Sequence, residues 1–193
     1  LGDTFDIHAG GEDLIFPHHE NEIAQAEAAT GKQFVKYWLH NGFIKMGESK
    51  MSKSLGNIKL VREILAEGYT GQDLRFFMFQ AHYRGPITFT YEILDEAKTG
   101  RKRILNAYKI LTEALNSATD DEGNLETERE ISRLRDEFIA AMDDDFNTPL
   151  ALGKLFEIVN LSNRLIVQDE LKSKKILEQI KSNFDNLGQK IFG

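Results

Sequence analysis

The sequence contains no cysteine, which excludes disulfides and any thiolate metal site built from this chain alone. No apolar run approaches the ~20 residues that a membrane-spanning helix requires. Leu1-Gly2-Asp3-Thr4 supplies neither an initiator Met nor a basic and apolar leader, so no secretory signal is expected. These absences lead us to expect a reducing, cytoplasmic setting, no membrane partner, and a stretch taken from the middle of a longer protein. Internal repeats and low-complexity tracts are missing too. What is present suits folding: 193 residues with 41% hydrophobic content allow one large domain or two small ones.

The formal net charge of −7 repels phosphate backbones in bulk. Its distribution is uneven. Residues 120–147 hold eleven acids and three bases, a balance of −8, which leaves the rest of the chain at +1. Lys98, Arg101, Lys102, Arg103 and Lys109 lie in a stretch without acids. At 100° per residue, Lys98, Arg101, Lys102 and Lys109 share one helix face. That face could meet a polyanion locally, or simply be solvated beside a core stripe.

The first third changes texture every few residues. Phe5-Asp6-Ile7 reads as a strand running into Ala9-Gly10-Gly11. Pro17 precedes a helical stretch from His18 to Ala29, which Thr30-Gly31 stops. Tyr37-Trp38-Leu39-His40 and Phe43-Ile44-Lys45-Met46 read as strands. Strand, Gly-rich turn, helix and strand is the rhythm of an α/β nucleotide-binding layer. Lys50 to Asn57 is polar and reads as a loop. Helices over 60–67 and 72–83 and a short strand Ile87-Thr88-Phe89 follow. From Tyr91 the pattern becomes long helices. Ile93, Ala97, Ile104, Leu111 and Leu115 share one face, and Ile131, Leu134, Phe138 and Met142 another. Thr148 is an N-cap candidate with Pro149 at the first helical position. Antiparallel helices with short links would bury these stripes.

Three clusters carry chemistry. Gly10-Gly11-Glu12-Asp13 follows a strand, so its backbone can approach a ligand closely and its carboxylate can accept from ribose hydroxyls. Alone, such a string is more often only a turn. In His18-His19-Glu20-Asn21-Glu22, a helix begun at Pro17 puts His18 and Glu22 one turn apart on one face. Imidazole and carboxylate at that spacing can reach one zinc ion. A solvated helix start with dipole-favoured acids explains the same string, and taken alone is the commoner case. Lys50-Met51-Ser52-Lys53-Ser54 puts two lysines three apart on a polar loop, able to gather on a polyphosphate and stabilise charge as pyrophosphate leaves. It is the most specific of the three.

Lys50–Ser54 resembles the KMSKS motif of class I aminoacyl-tRNA synthetases. The stretch from Phe5 to Glu22, FDIHAGGEDLIFPHHENE, resembles the corresponding block of cysteinyl-tRNA synthetases. Tyr37-Trp38-Leu39-His40, His82-Tyr83-Arg84 and the block from Met142 to Pro149, MDDDFNTP, fit the same family, in order. The resemblance implies the C-terminal part of a Rossmann-like catalytic domain (1–57), a connective segment (58–92) and an all-α tRNA-recognition bundle (93–193), predominantly helical overall.

It also implies roles. His18 and Glu22 would be two of four zinc ligands, the other two being cysteines upstream of residue 1. His8 and His40 would lie by the bound cysteine, Gly11 and Asp13 by the ATP ribose, and Lys50 and Lys53 on the triphosphate. The partners implied are L-cysteine, ATP with Mg2+ and tRNA(Cys), and the protein is expected to be monomeric. The family's HIGH motif and its final anticodon-reading part have no counterpart in the sequence, so half a zinc site, half an ATP site and an inactive chain are expected. Two alternatives stand beside this one. A mycothiol cysteine ligase shares the zinc grip and lysine loop but lacks the helical extension seen over 126–190. A non-catalytic paralogue would keep the bundle for tRNA or a protein.

Overall fold

The computed structural model describes residues 2–47, 49–50, 58–120, 123–167 and 173–193. The chain forms two compact units, residues 1–58 with 83–90, and residues 59–82 with 91–193.

The first unit is built on a strand–helix–strand crossover. Strand β1 (Phe5–Gly11) pairs in parallel with β2 (Val35–Asn41) through helix α1 (Glu20–Thr30). A parallel pair cannot be closed by a tight turn, so the helix supplies the return. Gly31 ends α1 in the left-handed region at φ 69°, with its N–H on the Glu27 carbonyl. Such a conformation is open to glycine at little cost. The register sets Ile7 opposite Tyr37, His8 opposite Trp38 and Gly10 opposite His40. A second sheet joins β3 (Ile44–Met46) to β4 (Ser49–Lys50), antiparallel, and to β5 (Ile87–Phe89), parallel. The sequence-based loop over 50–57 therefore starts one residue into a strand; residues 51–57, with Lys53, lie outside the described residues.

This unit buries little. Among its described residues only His19, Val35 and Phe89 are buried, while Ile7 is 56% and Tyr37 67% exposed. Parallel sheets ordinarily carry cover on both faces, and α1 itself buries no side chain.

The second unit holds the core. Helices α2 (Val61–Ala66) and α3 (Gly71–Met78) precede the long helices α4 (Tyr91–Leu115), α5 (Leu125–Asp143), α6 (Thr148–Val167) and α7 (Lys174–Asn183), and a wide helical turn, Phe184–Phe192, ends the chain. Helix α5 packs on α6, and α4 on α3, α6 and α7. Phe77, Leu94, Leu111, Leu134, Phe138, Leu155, Ile158 and Ile180 are fully enclosed. Each is worth about 1.5–3 kcal/mol relative to exposure. The predicted stripes are rotated slightly. Ala97 and Leu111 are buried in α4, but Leu94 and Ala107 join them, while Ile93, Ile104 and Leu115 are half-buried. In α5, Ala141 is buried and Met142 only half so. At Gly100 an added Cβ would stand 3.2 Å from the Phe76 ring, so the missing side chain lets α3 lie close on α4.

The α5–α6 turn places Asp145 and Phe146 at φ 53° and 56°, a region that bulky residues rarely occupy. Asn147, not Thr148, supplies the side-chain cap of α6: its Oδ1 accepts from the Leu150 N–H at 3.3 Å. The Thr148 hydroxyl donates instead to the Ala81 carbonyl at 3.4 Å. Among the described residues no helix is long and apolar enough to cross a membrane.

Among the described residues of this unit one charged group lies inside it. Asp73 is buried at the start of α3, where Thr70 and Asp73 cap each other reciprocally. The Arg101 guanidinium of α4 donates to its Oδ1 at 2.9 Å. Burial, the largest influence, favours the neutral acid. The Thr70 N–H and hydroxyl and the Arg101 guanidinium together outweigh it, so the carboxyl lies below its ordinary value. A depressed carboxyl stabilises the fold above the unfolded-state pKa, and that contribution is lost as pH falls through the folded value. Asp73→Ala strands Arg101 and removes the cap, and should cost about 3 kcal/mol of stability at neutral pH. In urea unfolding, that difference from the parent should shrink below the carboxylate range. A pH-independent difference would contradict the ion pair.

Candidate functional site

The site forms at the carboxyl ends of β1 and β2, where open α/β sheets bind ligands. After Gly11 the chain makes a short turn over Glu12–Leu14 and a wider one over Ile15–His19, then enters α1. This path turns His19 inward and leaves His18 exposed. The His19 ring lies on the β1 backbone: a Cβ at Gly10 would stand 2.7 Å from His19 Cε1. Glycine is required there by close approach. At Gly11 an added Cβ would stand 2.5 Å from the Asp13 carboxylate, so Asp13 folds back over the strand end.

His8 is the centre of an aromatic nest. Its ring meets Trp38 at 4.8 Å and His19 at 5.0 Å, both edge-on, with Phe5 at 5.6 Å and Phe34 at 6.0 Å. His8 Nε2 stands 3.0 Å from a Glu22 carboxylate oxygen. His19 Nδ1 and His40 Nε2 are 2.8 Å apart, so one ring donates while the other accepts, and their tautomers are coupled. His40 stacks on Trp38, 5.9 Å between centroids at 2°. Burial, then the charges of His19, Arg84 and His8, hold the His40 imidazole below its ordinary pKa, favouring the neutral ring.

His8, His19 and Glu22 present ligand atoms within 4.8 Å of one another. Two imidazoles and a carboxylate are a donor set that zinc accepts, so the residues present fit part of such a site. The spacing argument pairs His18 with Glu22. The structure gathers Glu22 with His8 and His19, and among the described residues His18 is not in that group. Within Ile15–His19 only Phe16 is non-helical, at φ −129° and ψ 130°, so the backbone is helical from Pro17 onward, but its first turn is wider than an α-helix and His19 is the doublet member gathered with Glu22 and His8. The inward placement of His19 was not read from the sequence; the doublet itself was the available signal.

His40, Gly11 and Asp13 lie at the strand ends as read from the sequence. The Lys50 backbone pairs with Lys45 in the β3–β4 ladder, and Lys53 lies outside the described residues. The Arg84 guanidinium sits 5.2 Å from the Tyr83 ring centre, and its charge acts on His40.

Four of the five cations at 98–109 on α4 meet partners within the second unit. Lys98 Nζ donates to the Gly68 carbonyl at 3.3 Å and lies 4.6 Å from the Tyr69 ring centre. Arg101 holds Asp73, Arg103 lies over Phe156 at 5.3 Å, and Lys109 stands 3.9 Å from Glu113.

Comparison with known proteins gives this geometry a setting. A family model described as tRNA synthetases class I (C) catalytic domain matches residues 1–99, and one described as DALR domain matches residues 137–193. The chain is 51% identical over 185 residues to a cysteine–tRNA ligase of Geobacter sp. strain M21, covering 94% of this chain and 38% of that protein. It is 49% identical over 196 residues to a cysteine–tRNA ligase of Anoxybacillus flavithermus strain WK1, covering 97% of this chain and 41% of that protein. The chain thus spans about two fifths of these curated relatives. A solved ternary complex of Agrobacterium radiobacter K84 agnB2 LeuRS with tRNA and LeuAMS superposes with a TM-score of 0.70 at 16% identity, over 94% of this chain and 25% of that one. At that identity the likeness speaks for fold alone, an α/β layer followed by a helical bundle. On the match over residues 1–99, the chain belongs to the family of class I (C) tRNA synthetase catalytic domains.

Proposed function

We propose that this chain carries the cysteine- and ATP-handling second half of a cysteine–tRNA ligase catalytic layer, together with its helical tRNA-side bundle. The observation that carries the reading is the gathering of Glu22 and His19 against His8 beside two parallel strands, in a chain of this family.

The reaction has two steps. The cysteine carboxylate attacks the α-phosphate of ATP, forming the mixed anhydride as pyrophosphate leaves. A terminal ribose hydroxyl of tRNA(Cys) then attacks the activated carbonyl, and AMP leaves. No side-chain nucleophile is needed, because positioning and charge stabilisation suffice. Gly11 and Asp13 serve the ribose. Lys50 and Lys53 serve the triphosphate and neutralise charge on the departing pyrophosphate. His8 and a neutral His40 line the cysteine pocket, with Trp38 and Phe34 excluding water from it. Glu22 and one ring of the His18–His19 doublet would hold zinc, with two cysteines from outside the chain. Zinc supplies a strong preference for thiolate over a serine hydroxyl. Residues 58–92 act as the connective segment and 93–193 as the tRNA-recognition bundle, in a monomeric, cytoplasmic enzyme that uses ATP with Mg2+.

The direct test replaces the corresponding segment of the Geobacter ligase with this chain. The chimera should catalyse cysteine-dependent ATP–pyrophosphate exchange and charge tRNA(Cys), whereas the 193-residue chain alone should do neither. A folded but inactive chimera would contradict the reading, and so would exchange by the chain alone.

Zinc content of the purified chimera separates the two histidines. Glu22→Ala should lower occupancy at least about tenfold, and so should one of His18→Ala and His19→Ala. Full occupancy in the Glu22 variant would remove Glu22 from the metal set.

A further inference from the structure

The chain returns to the first unit at Tyr83 and stays in it to Thr90. This return is locked against the end of β2. The Gly42 N–H, one residue past β2, donates to the Tyr83 carbonyl at 2.8 Å. A Cβ at Gly42 would collide with the Gly85 carbonyl, so the two backbones run in contact and a side chain has no room there. The Ile87 N–H donates to the Phe43 carbonyl at 2.9 Å, and β5 then pairs with β3 from Ile44 opposite Ile87 to Met46 opposite Phe89. Residues 83–86 therefore form a strap at the carboxyl end of β2, where open α/β sheets meet their ligands.

Arg84 is carried on this strap, between the two residues whose carbonyls contact Gly42. Its side chain is exposed, and its guanidinium lies over the Tyr83 ring, 5.2 Å from the centre. A ring beneath a guanidinium restricts the positions the cation takes. His40 stands two residues before Gly42, on β2. The charges of His19, Arg84 and His8 all bear on its ring, and all three groups are basic. His40 also adjoins the cluster of His8, His19 and Glu22, since His19 Nδ1 and His40 Nε2 are 2.8 Å apart. His40 thus touches the cluster through His19 and feels the charge of Arg84.

Cysteine has a matching polarity. Its thiol and its carboxylate are separated by only a few bonds, and the carboxylate is the group that must be held for attack on ATP. The chain as a whole is negative, at −7, so a substrate anion depends on a local cation. A guanidinium suits a carboxylate well, being always charged and able to bond both oxygens. The tie to His40, a residue of the cysteine pocket, favours the anion of the amino acid over the phosphates of ATP.

We propose that Arg84 is a substrate-binding residue of this site, holding the carboxylate of the amino acid while the Glu22 end of the site takes its sulfur. The inference rests on the ligase reading above and adds to it a group from a segment remote in sequence. Loss of Arg84 should weaken cysteine binding, and only for ligands that carry the carboxylate.

The test compares L-cysteine with cysteamine, which is cysteine without its carboxylate, by calorimetric titration of the zinc-loaded chimera with the Geobacter ligase. Arg84→Met should weaken cysteine binding about tenfold to a hundredfold, the range for a hydrogen bond to a charged group, and leave cysteamine within about twofold. Arg84→Lys keeps the charge and loses the fork, so it should fall between the parent and Arg84→Met. Zinc content should be the same in parent and variants. Unchanged cysteine binding in Arg84→Met overturns the proposal. So does an equal loss for both ligands, which marks a structural role. A raised KM for ATP with cysteine binding unchanged also overturns it, and moves Arg84 to the phosphates. If the unsubstituted chimera binds neither ligand, the ligase reading itself fails and the proposal falls with it; cysteine binding that ignores Arg84 sinks the proposal alone.

Discussion

The close approach of the His19 ring to the backbone at Gly10 is the contact on which the candidate site depends. It requires a glycine, because any Cβ there would collide with the imidazole. It also requires the chain to turn twice between Gly11 and Glu20, which delivers His19 inward and starts α1 with Glu22 facing His8. The parallel register does the rest by setting Trp38 opposite His8 and His40 opposite Gly10. Four polar side chains thus converge on a sheet that buries almost nothing of its own. Aromatic and imidazole ring contacts, worth about 0.5–1.5 kcal/mol each, supply much of the local cohesion.

The two units answer the same problem differently. The helical unit encloses a continuous apolar core and spends its charges on itself. Asp73 is neutralised by Arg101, and most of the α4 cations face carbonyls, rings or carboxylates of their own unit. A run of bases in sequence is therefore a poor guide to a free cationic surface: long side chains reach back to the nearest acceptor. The first unit leaves Ile7 and Tyr37 open on a parallel pair.

Much of the architecture was legible because its causes are local. Thr30-Gly31 stops α1 through a left-handed cap, and the strand at Ile87 follows Pro86. The spacing of Ala97, Leu111, Ile131, Leu134 and Phe138 marked the inner faces of α4 and α5. The cap of α6 was misplaced by one residue, because Asn147 and Thr148 are both good caps and only the packing of Thr148 on Ala81 decides between them. The metal pairing was read from an ideal helix running from Pro17. The extended backbone at Phe16, which the following proline favours, precedes that helix, and the wider turn over Ile15–His19 gathers His19 with Glu22 and His8. Glu22, His8 and His40 were legible as chemistry-bearing residues. The contacts between them depend on the β1–β2 register, which a single sequence leaves open.

Zinc-edge anomalous diffraction tests the account most directly, using crystals of the Geobacter ligase with its corresponding segment replaced by this chain and with cysteine bound. The account predicts a peak about 2.0–2.2 Å from a Glu22 oxygen and from a ring nitrogen of His18 or His19, with sulfur completing the shell. No peak near Glu22, with its carboxylate still on His8, would contradict it.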